Sequence, residues 1–561
     1  VITPARLLAL ALMVTVSATT SAATPAAQTA NSDPATATPI KHLVVIFGEN
    51  VSFDHYFATY PHAANPSGEP RFVADGPVPA ANTLTAAHLL DHNPNIAAAN
   101  GDDAANPFRL DRTQASTSDQ NHAYTAEEQA YDGGKADEFP KYTGHGSAGG
   151  VGAFGTRGQV MGYYDGNTVT ALWQYAQRFA MSDNAFTDTY GPSTPGAIEI
   201  VSGQTNGLQL TATTRKSATA GGYSYYVDDG QGGYTMINDV DPTYDTCSSV
   251  KDNANLRGRN IGDLLNAGGI RWGGFMGGFN LKAVNANGTT GCKRSTHSTV
   301  IGEDIPDYIA HHNWFAYYRS TSNPTHAGPS SIAAIGSSVE TNGTTPEPAN
   351  HEYDLHDFYA AVQAGNFPAV SYVKSPAFQD AHAGYSDPLD EQTSVVTLLD
   401  FLQRQPEWKD TAVILAYDDS DGWYDHAAAA PTHASFDPGA DRLNGAGVCG
   451  SGTAPMGIDG KPVNGRCGPG TRLPFIVVSP WAKQNAVMHD RISLASVPRF
   501  IEDNWLHGTR LGGGSFDADA GSIMDLFDFS SPPRMTALYL DPSTGEPISS
   551  AAAARITPFG R

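Results

Sequence analysis

Apolar residues come in tight runs along the chain, and three of these runs stop abruptly on polar side chains. Leu43 to Phe47 is closed by Gly48 and followed by Glu49 and Asn50. Ala412 to Tyr417 ends on Asp418 and Asp419, and Leu473 to Val478 precedes Ser479-Pro-Trp. Short runs that are apolar at every position read as strands buried on both faces, which is the pattern of a parallel sheet. Ala369 to Val373 and a stretch around Ile270 to Met276 predict two more strands. Helical spacing recurs over Val169 to Phe179, from Tyr353 to Ala364 with Gly365 as stop, over about Glu391 to Trp408, and near Leu494 to Leu506. Strands alternating with helices predict an α/β fold around a central, mainly parallel sheet flanked by helices.

Elsewhere the periodicity fades. Residues 54–158 are rich in Asn, Asp, Gly, Ala and Pro and predict long surface loops with short helices, one of them from Thr125 to the stop at Gly133-Gly134, with His122 just ahead of it. Gly203 to Asn260 and Ser320 to Asn350 have the composition of decorations on a core, giving insertions near 205–260 and 320–350. Ser193 and Thr194 precede Pro195, which belongs in the first turn of a helix. A hydroxyl at that place is either a plain helix cap or a nucleophile facing an anion held by the helix N-terminus.

With 57 acidic against 33 basic residues, the net charge of -24 excludes a nucleic-acid surface, and anionic-membrane binding with it. An anion bound by this chain needs a local source of positive charge, and a metal ion with histidines is the natural one. Arg6, the apolar Leu7 to Val16 and the small residues to Ala23 have the pattern of a secretory signal over 1–23, followed by a flexible Ala/Thr/Pro-rich lead-in over 24–39. No later stretch is apolar enough to be a transmembrane segment, so the expected location is periplasmic or secreted. Four cysteines without a C-x-x-C pair fit two disulfides in an exported chain, and Cys247 with Cys292 and Cys449 with Cys467 is the most local of the three connectivities.

Two strands ending in hard oxygen ligands point to a divalent ion, since adjacent carboxylates repel unless a cation or proton lies between them. No Walker A sequence, G-x-S-x-G elbow or H-E-x-x-H helix is present. What is present, in order, is Gly48-Glu-Asn-x-Ser-Phe-Asp-His-Tyr-Phe, Asn121-His122 with Gly133-Gly-Lys, Gly191-Pro-Ser-x-Pro, His311-His312, Gly384-Tyr-Ser-Asp-Pro-Leu-Asp-Glu-Gln, Tyr417-Asp-Asp with Tyr424-Asp-His, and Val477-Val-Ser-Pro-Trp-Ala. This ordered set resembles the bacterial phosphoesterase family of phosphatidylcholine-type phospholipases C and AcpA-type acid phosphatases.

The resemblance implies an alkaline-phosphatase-like fold with a mixed, mainly parallel sheet, and a single catalytic domain over 40–561. It implies one divalent metal ion of open identity held by Glu49, Asn50, Ser193, Asp418 and Asp419. Ser193 would attack phosphorus and form a phosphoserine, while His122, His312 and His382 contact the phosphoryl oxygens and one of them protonates the leaving alcohol. His311 is a further member of the histidine group. The phospholipase branch shows Tyr-Asp-Glu-His-Gly-Gly where this chain has Tyr417-Asp-Asp-Ser-Asp-Gly, and its His-Thr-Ser ahead of the last helix is replaced around His489-Asp-Arg-Ile-Ser. The expectation is therefore an exported acid phosphatase acting on small phosphate monoesters, with turnover favoured by acid. The alternatives are a phospholipase C acting on phosphatidylcholine or sphingomyelin through their lipid head groups, and a non-catalytic binding protein on the same scaffold.

Overall fold

The first apolar run forms strand β1 (His42–Gly48), buried over its five inner residues, and the chain turns directly into the short helix α1 (Phe53–Phe57) capped by Ser52. A long loop region follows and contains helix α2 (Tyr124–Tyr131). Helix α3 (Thr170–Arg178), strand β2 (Ala180–Phe186) and helix α4 (Ser193–Ser202) come next. Beyond the first insertion lie helix α5 (Ile261–Gly268), strand β3 (Trp272–Met276) and, past the second, strand β4 (Glu352–Asp354) with helix α6 (Leu355–Gln363). The rest of the core is strand β5 (Val370–Lys374), helix α7 (Pro388–Leu402), strands β6 (Thr411–Tyr417), β7 (Arg472–Val478), β8 (Ala486–Met488) and β9 (Ile492–Ser493), and helix α8 (Ser496–Trp505). This computed structural model describes residues 35–214, 217 and 223–556; the expected signal segment 1–23 and the first part of the lead-in lie outside the described residues.

The strands make one nine-stranded sheet in the order β4-β3-β5-β1-β6-β7-β2-β8, with β9 also paired to β2. Pairing is parallel from β4 across to β6, and only β7 runs against its neighbours β6 and β2. The helices flank this sheet in two groups, α4 with α5 and α8, and α3 with α7. The result is the mixed, mainly parallel α/β arrangement expected of an alkaline-phosphatase-like fold. β6 and β7 are buried at every residue, which is why their sequences carry no polar alternation. Each fully buried Val, Leu, Ile or Phe in them contributes about 1.5–3 kcal/mol relative to exposure.

Helix α5 and strands β4, β8 and β9 carried no expectation, and two further elements differ from their sequence reading. The helix expected over 391–408 starts at Pro388, where the Asp387 carboxylate caps the Leu389 and Asp390 amides, and ends at Leu402. Pro406 stops it, because proline disfavours helical backbone at the residue before it; Pro406–Asp410 forms a separate short turn of helix. β2 was not legible as a strand, since Ser182, Asp183 and Asn184 interrupt its apolar run. It is a strand because β7 and β8 pair with it on its two sides and because outlying groups satisfy its carboxylate: Asp183 accepts from the Asn82 amide at 2.6 Å and faces His489 Nδ1 at 3.0 Å. Both local disulfides form, Cys247–Cys292 and Cys449–Cys467.

A buried ion network ties α1 to the sheet. Arg472, at the start of β7, places Nε 3.0 Å from Asp425 Oδ1 and Nη2 3.1 Å from Asp54 Oδ1, and donates through Nη1 to the carbonyls of Asn82 and Asp183. His426 Nδ1 lies 2.6 Å from the second oxygen of Asp54. Burial pushes the Asp54 carboxyl up, but His426 and Arg472 outweigh it and hold Asp54 below the usual carboxylate range. Removing the cation alone strands two buried carboxylates. Arg472→Met is expected to lower unfolding free energy by about 3–5 kcal/mol in urea titrations, and a loss under about 1 kcal/mol would refute the network's role.

Candidate active site

Register decides which side chains meet. β1 and β6 are parallel neighbours with Gly48 opposite Tyr417, so the first residues past each strand, Glu49 and Asp418, emerge side by side at the carboxyl edge of the sheet. Asn50 follows with φ 63°, a left-handed turn that asparagine tolerates better than most residues. Its amide hydrogen goes to Asp418 Oδ1 at 2.9 Å, and its side-chain nitrogen donates to Asp421 Oδ1 at 3.0 Å. The second contact leaves Asn50 Oδ1 facing Ser193.

Ser193 is the first residue of α4 and is buried. Pro192 stands before it and offers no side-chain cap, so the serine hydroxyl sits at the helix N-terminus. Its Oγ lies 3.2 Å from Asn50 Oδ1 and 3.2 Å from Asp419 Oδ2. The first turn of α4 reaches this place because residue 196 is glycine: a Cβ there would collide with the Asp418 backbone.

These oxygens have too few protons to go round. One hydroxyl hydrogen serves two acceptors at Ser193, while Glu49 Oε2 and Asp418 Oδ2 are buried with no hydrogen-bond partner. Burial first, and then the Asp418 charge, drive the carboxyls of Glu49 and Asp419 well above their ordinary range, against the pull of Lys374 on Glu49 and of His122 on Asp419. Glu49, Asn50, Ser193, Asp418 and Asp419 therefore form an oxygen-rich set that fits a hard divalent ion.

The three histidines surround a cavity of about 400 Å³ whose wall also includes His311, Asp119, Asp239 and Tyr385. The His122 and His382 rings are 6.0 Å apart, and those of His312 and His382 are 6.4 Å apart. In each histidine Nδ1 is engaged: with the Gln120 carbonyl at 2.8 Å for His122, with Glu49 Oε1 at 3.2 Å for His312, and with the Ala383 carbonyl at 2.6 Å for His382. Their protonation differs. Burial lowers His122, yet Asp419, Asp421 and Asp119 overcome it and hold the ring cationic above its ordinary range. His311 is likewise raised against burial, by Asp241, Asp239 and Asp418. Burial and the neighbouring cations pull His312 well below its ordinary value, and burial with His122 lowers His382 despite Asp119. The surroundings thus favour the cation at His122 and His311 and the neutral ring at His312 and His382.

Several residues at this site carried no sequence signal. Glu127 on α2 is buried and accepts the Gly191 amide at 3.0 Å and the Ser420 hydroxyl at 2.8 Å, clamping the segment before Ser193 to the segment after Asp419. Its partners are distant in sequence, so nothing local marks it. Lys374, Asp380 and Asp421 also join the cluster from loops or strand ends. Asp239 accepts the Thr194 amide at 2.8 Å and so occupies part of the α4 N-terminus.

A strand-end carboxylate cluster, a serine at a helix N-terminus and a ring of histidines define the class of phosphoryl-transfer α/β hydrolases. The chain belongs to the phosphoesterase family, which it matches over residues 40–506, and it is a hydrolase of phosphoric ester bonds. It is 23% identical over 513 residues to phospholipase C A of Mycobacterium tuberculosis, covering 90% of this chain and 80% of that protein. It is 23% identical over 517 residues to the non-hemolytic phospholipase C of Burkholderia pseudomallei, covering 90% of this chain but 61% of the relative. With the non-hemolytic phospholipase C of Pseudomonas aeruginosa it shares 33% identity over 152 residues, 26% of this chain and 21% of the relative. Among the described residues no helix is long and apolar enough to cross a membrane.

The Glu127 clamp has a pH signature. Burial, partly offset by its two hydrogen bonds and His122, raises the Glu127 carboxyl to about 7. A folded-state value above the unfolded one means that its stabilising share is complete below about pH 4.5 and is lost as pH rises through about 7. Between pH 5 and pH 9 the wild type is expected to lose about 3 kcal/mol more unfolding free energy than Glu127→Gln, and equal losses would remove Glu127 as the source.

Proposed function

We propose that this phosphoesterase is an exported, single-domain phospholipase C-type phosphodiesterase that cleaves the phosphodiester of a phospholipid such as phosphatidylcholine or sphingomyelin, with Ser193 as nucleophile. The observation that carries the diester reading is the mixed charge of the cavity wall. Asp119 and Asp239 stand there beside His122 and His311, both held toward the cation, so a diester's cationic head group has carboxylates to meet while its single phosphate charge meets the histidines. The names of the relatives that align over 90% of this chain support the same reading.

In this reading Glu49, Asn50, Ser193, Asp418 and Asp419 would hold one divalent ion. The chemistry such an ion supplies when bound is neutralisation of charge at the serine oxygen and the phosphoryl group. Ser193 Oγ, its proton released to water, attacks phosphorus at the positive end of the α4 dipole as the bond from phosphorus to the departing alcohol breaks. His122 is the histidine of the three held cationic, with Nδ1 engaged, so its Nε2–H is the proton source for the departing alcohol. His312 and His382, neutral at rest, take up protons as the anionic substrate docks and then donate to its oxygens. A water then attacks the phosphoserine, and His122 takes the proton back.

A second reading, an acid phosphatase acting on monoesters, is favoured by Asp419-Ser420-Asp421 standing where the phospholipase branch carries Glu-His-Gly. The two are separated by comparing p-nitrophenylphosphorylcholine with p-nitrophenyl phosphate. Preference for the diester is expected; preference for the monoester would establish the phosphatase. Ser193→Ala is expected to lose about 10³-fold or more in kcat on either substrate with the fold intact by circular dichroism. Turnover of neither substrate by metal-loaded wild type would favour a binding role. The diester keeps its charge between pH 5 and pH 8, so the proton uptake by His312 and His382 predicts a KM that falls as pH is lowered across about that range. A KM that rises instead would overturn their role.

A further inference from the structure

Glu49 faces two different environments. Its Oε2 is buried without a partner, beside the equally unpartnered Oδ2 of Asp418. Its Oε1 is ion-paired with the ammonium of Lys374 and lies 3.2 Å from His312 Nδ1, which is itself 3.8 Å from Asp380 Oδ2. Lys374 ends β5, the strand that pairs with β1 on the side away from β6, and its side chain is 2% exposed.

Without the lysine this second environment has the make-up of a metal site. Glu49, His312 and Asp380 are all buried, and their ligand atoms lie within 4.8 Å of one another. Two carboxylates and an imidazole at that spacing suit a divalent ion such as zinc or manganese. The ammonium of Lys374 is bound to an oxygen of this set. A lysine there supplies one positive charge that cannot dissociate, on a stem fixed by the strand.

We propose that Lys374 is a built-in cation occupying a second metal position formed by Glu49, His312 and Asp380, so that the centre takes one divalent ion where it would otherwise take two. The inference rests on the metal-centre reading above. It assigns the two oxygens of Glu49 separate tasks: Oε1 belongs to the lysine, and Oε2 remains for the exchangeable ion with Asn50, Ser193, Asp418 and Asp419. It also makes Lys374 a positioning residue, because its contact is with Glu49 and not with substrate.

The test is metal stoichiometry, read without activity. Protein dialysed to equilibrium against manganese or zinc is analysed for bound metal per chain by elemental mass spectrometry. The expected result is one ion for wild type, two for Lys374→Ala, one for Lys374→Arg, and a return to one in Lys374→Ala combined with Asp380→Asn. Wild type with one ion and folded Lys374→Ala also with one would overturn the lysine inference while leaving the metal centre standing. Wild type with none would remove the metal centre itself. Electron paramagnetic resonance of manganese-loaded wild type keeps the proposal falsifiable if Lys374→Ala does not fold. An uncoupled mononuclear signal is expected, and a spin-coupled pair of ions bridged through Glu49 would overturn it.

Discussion

Repulsion among carboxylates at the carboxyl ends of β1 and β6 is the constraint to which the rest of the structure answers. The parallel register that sets Gly48 opposite Tyr417 delivers Glu49 and Asp418 to the same edge, and Asp419, Asp421 and Asp380 crowd the same region. Two like charges about 4 Å apart cost about 4 kcal/mol at an effective dielectric near 20, so no such cluster persists ionised without compensation. Compensation arrives from several directions. Lys374 comes from the neighbouring strand, His122 from the long loop region and a positive helix end from α4, while Asn50 in its left-handed turn gives its backbone amide to Asp418 and its side-chain amide to Asp421.

The molecule contains a second buried charge cluster, and the contrast between the two is instructive. Around Arg472 the charges are paired: the guanidinium meets two carboxylates and two carbonyls, and Asp54 is also held by His426. That network joins α1 to β7 and has no oxygen left over among those named. At Glu49 and Asp418 one oxygen of each remains without a partner, and a serine hydroxyl has two acceptors for its one proton. The first cluster is closed on itself, whereas the second gathers its unpartnered oxygens next to a serine hydroxyl at a helix start.

Chemistry and specificity occupy different parts of the chain. The oxygen cluster and Ser193 stand on strand ends and a helix start, where backbone hydrogen bonding holds them rigidly. The cavity wall draws Asp119 from the loop region and Asp239 from the insertion. Such segments vary without disturbing the sheet, which is how one phosphoesterase core can serve diesters or monoesters.

The sequence by itself determined the strand core and its edge. Short uninterrupted apolar runs bounded by turn residues read as strands buried on both faces, and the residues that end them, Glu49, Asn50, Asp418 and Asp419, were legible as one oxygen-rich group, as was the hydroxyl ahead of Pro195. Local signals also placed most helices, failing where Pro406 cut one short and where polar residues disguised β2. Tertiary structure alone decided the partners drawn from far along the chain. Glu127 meets Gly191 and Ser420, Lys374 meets Glu49, and Arg472 meets Asp54 and Asp425, none of them marked by any local pattern. It also decided which histidines are cationic, since that depends on the carboxylates and the burial around each ring and not on the residues beside it in sequence.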